Sequence, residues 1–282
     1  VFIECGSMIK PDGPVPMRMI GETEFVNGIA AMSAGGEYGT ARVAAGIVGH
    51  ADLCLGDDVA PVLAAHIKAG GGRFRGIRHS CTWDPSPDVP NARCEPPEHL
   101  YQQENFRQGF AQLAKHNMSF EGWCFHTQIK ELTELAQAFP DTTIILDHFG
   151  GPLGIGPYAG KRNDDFAQWQ TDVTELARCQ NVVAKLGGIN MELNGFGWHE
   201  RDRPPGSEEL MQATRPYYDH AIEQFGVDRC MFESNFPVDM CSCSYNVLWN
   251  SFKHLTADYT AGEKAALYHD TANRVYRLDD PV

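Results

Sequence analysis

Trp123–Gly151, WCFHTQIKELTELAQAFPDTTIILDHFGG, holds two strand ends and the helix that joins them. An apolar, aromatic run from Phe120 to Phe125 stops at His126. Ile129, Leu132, Leu135, Ala136 and Phe139 then recur at three- and four-residue spacing, the mark of a helix with one buried face. Pro140 and Asp141 interrupt that pattern, and the run Thr143–Leu146 reads as a buried strand ending at Asp147-His148. A strand–helix–strand unit crosses over right-handedly and makes its strands parallel neighbours. Parallel strands end on one side, so His126 and His148 are expected to face each other across one mouth. That is where an α/β sheet places its ligands.

The same alternation extends in both directions. Val1–Cys5, Ala41–Val48, Phe74–His79, Val182–Leu186 and Cys230–Glu233 read as further strands. Helices are expected over Glu24–Met32, Val59–Lys68, Glu104–His116, Phe166–Cys179, Ser207–Phe225 and Tyr245–Leu255. Thr260-Ala-Gly-Glu263 is a capping box opening a last helix that runs through Tyr268. Two long connections, Thr82–Pro97 and Gly187–Gly206, separate elements; loops of that length in a compact fold are usually functional or flexible. Gly150–Gly160 lacks any phosphate-binding register and reads as a structural or lid loop. No linker or repeat divides the chain, so one domain over residues 1–282 is expected. Strands alternating with helices imply a parallel sheet covered by helices. Seven strands are one short of the closed (β/α)8 TIM barrel that suits this length. The chain begins inside a strand and without Met, so the expectation is a barrel whose first strand is missing, leaving two unpaired edges prone to aggregation.

Composition narrows the function. The formal charge of -14 disfavours nucleic acid and anionic membrane surfaces as partners. No apolar run approaches the ~18 residues of a membrane span. The nine cysteines are scattered, with Cys241-Ser-Cys243 the closest pair, which suits reduced thiols and a cytoplasmic setting. The expected partner is a small-molecule substrate, with assembly into a homo-oligomer left open.

The strand ends resemble the amidohydrolase superfamily, in its amidohydrolase-related (type 2) branch of TIM-barrel hydrolases. Phe74-Arg-Gly-Ile-Arg78-His79, Leu146-Asp-His148-Phe-Gly150 and Val183-Ala-Lys185-Leu-Gly187 carry the resemblance. Phe232-Glu-Ser-Asn-Phe-Pro237 and Thr271-Ala-Asn-Arg-Val-Tyr276 continue it, in family order across almost the whole chain. The resemblance implies a hydrolase, closest to the lactonases, that attacks a polarised carbonyl with water. The substrate would be a small carboxylated or sugar-derived lactone. A metal-dependent amidohydrolase or decarboxylase, or a barrel without activity, are the alternatives. Two departures stand out. The first strand of the family carries His-x-His, and no His-x-His occurs here. Its last strand usually ends Ser-Asp-aromatic-Pro, the Asp serving as base, where this chain has Asn235. An amide takes no proton at neutral pH but orients water or substrate.

Roles follow as expectations. His148 and His126 polarise the carbonyl directly, or hold one divalent ion such as zinc if any is bound. Asp239 is the first candidate and Glu233 the second to replace the missing base. Glu233 shares the inward phase of Asn235, two residues on. Arg78 suits a substrate carboxylate. His79 is a further candidate as a second partner of His148 or for binding substrate; it is adjacent to Arg78, so only one of the two is expected to face inward unless the second sits above the strand end. Lys185 is either an inward cation for substrate or the partner of a barrel carboxylate.

Overall fold

A computed structural model describes residues 1–90 and 95–278. Seven strands lie side by side in chain order, every neighbouring pair parallel. They are β1 (Phe2–Ile3), β2 (Ile47–Gly49), β3 (Phe74–Arg78), β4 (Ser119–Gly122), β5 (Ile144–Leu146), β6 (Val182–Leu186) and β7 (Cys230–Phe232). The connecting helices are α1 (Ile20–Ala34), α2 (Ala60–Ala69), α3 (Glu104–Lys115), α4 (Ile129–Ala138), α5 (Arg162–Ala177) and α6 (Ser207–Phe225). After β7 come α7 (Tyr245–Leu255), α8 (Ala261–Ala265) and α9 (Thr271–Tyr276).

Strand side chains alternate, and here the alternation separates two environments. Ile47, Ile77, Phe120, Ile144, Val182 and Cys230 point outward into the main core under the helices. Their neighbours Val48, Ile145, Val183 and Met231 form a second cluster with Tyr276, against which Ile3 packs. Strands β2 and β5 are three places apart, roughly 14 Å at the usual spacing of a flat sheet. Side chains from both meet in one cluster, so the sheet is strongly curled. Its edges, β1 and β7, are not hydrogen-bonded to each other. The observed form is a curled seven-stranded parallel sheet in place of a closed eight-stranded barrel.

Ile129, Leu132, Leu135 and Ala136 bury the face of α4 that their spacing predicts. The Thr260 capping box also forms, with the hydroxyl accepting from the Glu263 amide. Other boundaries moved. The second strand covers only Ile47–Gly49, because Ala44 takes a left-handed φ of 53° that no extended strand allows. The first helix is longer at both ends than Glu24–Met32. The strand opening the central unit stops at Gly122, so Trp123–Phe125 leave the sheet before His126.

Candidate active site

Above the apolar cluster the inward positions turn ionic. Lys185 on β6 is 3% exposed, and its ammonium lies 2.7 Å from Glu121, 2.8 Å from Asp147 and 3.6 Å from Glu233. Tyr276 donates to Glu121 Oε1 at 2.6 Å and closes the network from below. Arg78 Nε meets Glu4 Oε1 at 2.8 Å, Nη2 donates to the Glu4 carbonyl at 2.6 Å, and Nη1 reaches Asp147 at 3.4 Å. Four acids therefore surround two cations. Burial, reinforced by adjoining Asp147 and opposed by Lys185, pushes Glu121 up to about 8. Burial also pushes on Asp147, but Lys185 and the other donors around it hold its carboxyl well below the usual range.

His148 follows β5 and sits within a left-handed turn: φ is 51° at His148, 58° at Phe149, 68° at Gly150 and 49° at Gly151. Two consecutive non-glycine residues there are costly, of order 1–2 kcal/mol each. Bonds hold the turn, from the Gly151 amide to the His148 carbonyl at 2.9 Å and from Trp169 Nε1 to the Phe149 carbonyl at 2.7 Å. The turn aims His148 Nδ1 at Glu233 Oε1, 2.5 Å away. Burial works against the charge on Glu233, but His148 and Lys185 outweigh it and hold its carboxyl below the usual range. An ionised carboxylate only accepts, so Nδ1 carries the proton. Nε2 has no protein partner among the described residues and keeps its lone pair whenever the ring is neutral. Room for this pair comes from Gly187 and Gly188 after β6. A β-carbon at Gly187 would fall 2.4 Å from Glu233 Cγ.

Beyond β7, Asn235 has a φ of 50°, tolerable for Asn, and donates from Nδ2 to Asp239 Oδ1 at 2.7 Å. The amide oxygen of Asn235 is left for another donor. Asp239 is fully buried, and burial raises it to about 7 against the pull of Asn235. Burial thus outweighs the pull of both Asn235 and adjoining Asn190 on this carboxyl.

A cavity of about 590 Å³ opens over these groups, with His50, Arg78, Trp123, His148 and Asn235 in its lining. Ile9, Met19, Met191 and Val238 supply apolar wall. Lys185 and Glu233 face a second recess of about 480 Å³ between β1 and β7, which shares Arg78, His148 and Asn235 with the first.

The sequence-predicted residues thus divide. Arg78, His148, Asn235, Glu233 and Lys185 come together. Arg78 faces inward and His79 outward, its ring 5.5 Å from Phe106. Burial and neighbouring His50 push His79 down to about 4. Lys185 is the partner of barrel carboxylates. Asp239 faces Asn235 from within the protein and does not line either cavity. The expected meeting of His126 with His148 does not occur. The ring against His148 is that of Trp123, at 4.7 Å, while His126 packs on Tyr158 at 5.1 Å and accepts from the Leu153 amide. His126 lies four residues past Gly122, where the strand no longer dictates direction.

His50 was missed, although it directly follows β2 as His148 nearly does β5. Its Nδ1 sits 3.0 Å from the Arg78 carbonyl, and buried His66 holds its own carbonyl at 2.9 Å. Its ring lies 5.3 Å from that of His79.

Residues 39–278 match the amidohydrolase family profile. The chain belongs to that family. It is 35% identical over 263 residues to an uncharacterized protein of Sinorhizobium fredii, covering 93% of this chain and 77% of that one. It is 28% identical to the L-fucono-1,5-lactonase of Burkholderia multivorans, covering 86% and 74%. A crystal structure of an amidohydrolase from Burkholderia multivorans with bound zinc superposes with a TM-score of 0.70 at 26% identity, covering 91% of this chain and 79% of that one. Whether this chain's residues fit such an ion at His148 has a structural answer. His148 Nδ1 is held by Glu233, which leaves Nε2 as the ring nitrogen open to an ion, while His126 Nδ1 accepts from the Leu153 amide. Among the described residues, three potential ligands converge only at Asp52, Cys54 and His79.

Proposed function

We propose that this amidohydrolase opens the lactone ring of a small, neutral, sugar-derived substrate, with His148 as the base that activates water. The observation that carries the reading is the 2.5 Å contact between His148 Nδ1 and Glu233, at the point where both cavities meet Asn235. Water bound between His148 Nε2 and the Asn235 amide oxygen gives its proton to Nε2 as its oxygen attacks the carbonyl carbon. Glu233 stabilises the imidazolium that forms, as a carboxylate behind a histidine does in acyl-transfer enzymes. Arg78 commits three of its five N–H donors to Glu4 and Asp147, leaving donors for the oxygen that gains charge. The ring C–O bond then breaks, and His148 returns the proton to the departing alkoxide. The product is a hydroxy acid.

Charge favours a neutral substrate. The guanidinium expected to bind a substrate carboxylate is already paired with Glu4 and Asp147, and a further anion would meet Glu4 and Glu192 in the lining. Hydroxyl groups of a sugar lactone can donate to those acids. The lactonase relative supports the same substrate class. Turnover of a panel of aldonolactones, set beside a carboxylated pyrone lactone, tests the reading: hydrolysis of the neutral compounds supports it, and hydrolysis confined to the carboxylated one overturns it.

A further inference from the structure

Asp52, Cys54 and His79 lie on the rim formed by the ends of β2 and β3, outside the His148 network. One donor atom from each lies within 4.8 Å of the others, and Asp52 Oδ1 is 4.0 Å from His79 Nδ1. We propose that these three side chains form a binding site for one borderline-soft divalent ion of the zinc class. The inference is independent of the lactonase reading.

Three features support it. The donors are a carboxylate oxygen, a sulfur and an imidazole nitrogen, the mixed set that zinc and cobalt take and that calcium and magnesium do not. Their placement is fixed by the backbone. Leu53 is fully buried and pins the turn, so Asp52 and Cys54 flank it on the open side, while His79 is carried by the end of the adjacent strand. The separations are also close to what an ion needs. Bonds of 2.0–2.3 Å in a tetrahedron put ligand atoms about 3.3–3.8 Å apart, so a contraction of at most about 1.5 Å suffices. Asp52 has a side chain 51% exposed and gives an ion a way in, while Phe106 backs the His79 ring with an apolar floor.

Each group also has a local duty that the ion must accommodate. Asp52 accepts from the Cys54 amide at 2.9 Å, which leaves a second carboxylate oxygen. The Leu53 amide donates to His79 Nδ1 at 3.2 Å, a long bond for the ion to compete with. Binding replaces the Cys54 thiol proton, which leaves to solvent. Three protein ligands leave a fourth position for water. The ion would tie the turn after β2 to β3.

The test is titration of metal-stripped protein with Zn²⁺ by calorimetry, and with Co²⁺ by absorption, in the wild type, Cys54→Ser and Asp52→Asn. One Zn²⁺ per chain and a cysteinate-to-cobalt charge-transfer band in the wild type are expected. Cys54→Ser should lose the band, and both variants should bind Zn²⁺ at least tenfold more weakly with their circular dichroism unchanged. Absence of stoichiometric binding in the wild type overturns the proposal. So does binding that both variants retain in full, since the ion then belongs to other cysteines or carboxylates. Because Asp52 is exposed, that variant keeps the test decisive should Cys54→Ser fold poorly.

Discussion

A β-carbon placed on Gly188 would lie 2.3 Å from Nδ1 of His148. Gly188 also has a φ of 69°, where side chains are rarely tolerated. The glycine after β6 is therefore what allows the imidazole to reach Glu233. Gly188→Ala should displace the ring and reduce kcat/KM on a lactone by about 100-fold or more, the contribution expected of a positioned base. Far-ultraviolet circular dichroism should stay near that of the wild type. Full activity in this variant would remove the steric basis of the His148–Glu233 contact.

Glu233→Gln replaces an acceptor-only group with an amide that is as able to donate as to accept. The His148 tautomer is then no longer dictated, and the imidazolium loses its counter-charge. We expect kcat to fall by about two to four orders of magnitude with KM within a few-fold of the wild type. Steady-state kinetics on one lactone checks this. A rise in KM alone would assign Glu233 to substrate binding.

Asp239 gives a pH signature with a definite sign. Its carboxyl sits at about 7 in the folded protein against 3.8 as the unperturbed value. Between those values the folded state holds a proton that the unfolded state has released. Stability from this group is thus present below about pH 4 and lost as pH rises towards 7, by an amount on the order of a few kcal/mol. Asp239→Asn removes that dependence and keeps an oxygen to accept from the Asn235 amide. We expect the variant to melt above the wild type at pH 8, with the gain shrinking towards pH 4. Thermal melts at the two pH values measure it, and a constant difference between them would contradict the assignment.

Lys185 is the cation shared by Glu121, Asp147 and Glu233. Lys185→Met leaves those carboxyls without it in a buried setting, a change that costs about 3–5 kcal/mol when one member of a buried pair is removed. Urea unfolding should show the loss as a lower midpoint. A midpoint shift under about 1 kcal/mol would mean that protonation of the acids compensates.

The sheet was legible because strand and helix periods alternate cleanly, and because short motifs mark the strand ends. The inward phase of Glu233 followed from its two-residue offset to Asn235. Its partner did not, since His148 is 85 residues away and the two meet only once the sheet curls. The misplacement of His126 has a local cause. Apart from Glu121 and Gly122, Phe120–Phe125 is apolar, and nothing in that run announces that pairing stops at Gly122. His50 was readable as a histidine at a strand end, since the C-terminal limit of β2 was read to within one residue.

The most direct test compares wild type, His148→Gln and Glu233→Gln for kcat/KM on a neutral aldonolactone, read by acid release in weakly buffered solution. We expect measurable turnover by the wild type, a loss of about 1,000-fold or more in His148→Gln, and a smaller but large loss in Glu233→Gln. Hydrolysis that survives in His148→Gln at close to the wild-type rate would contradict the assignment of His148 as the base.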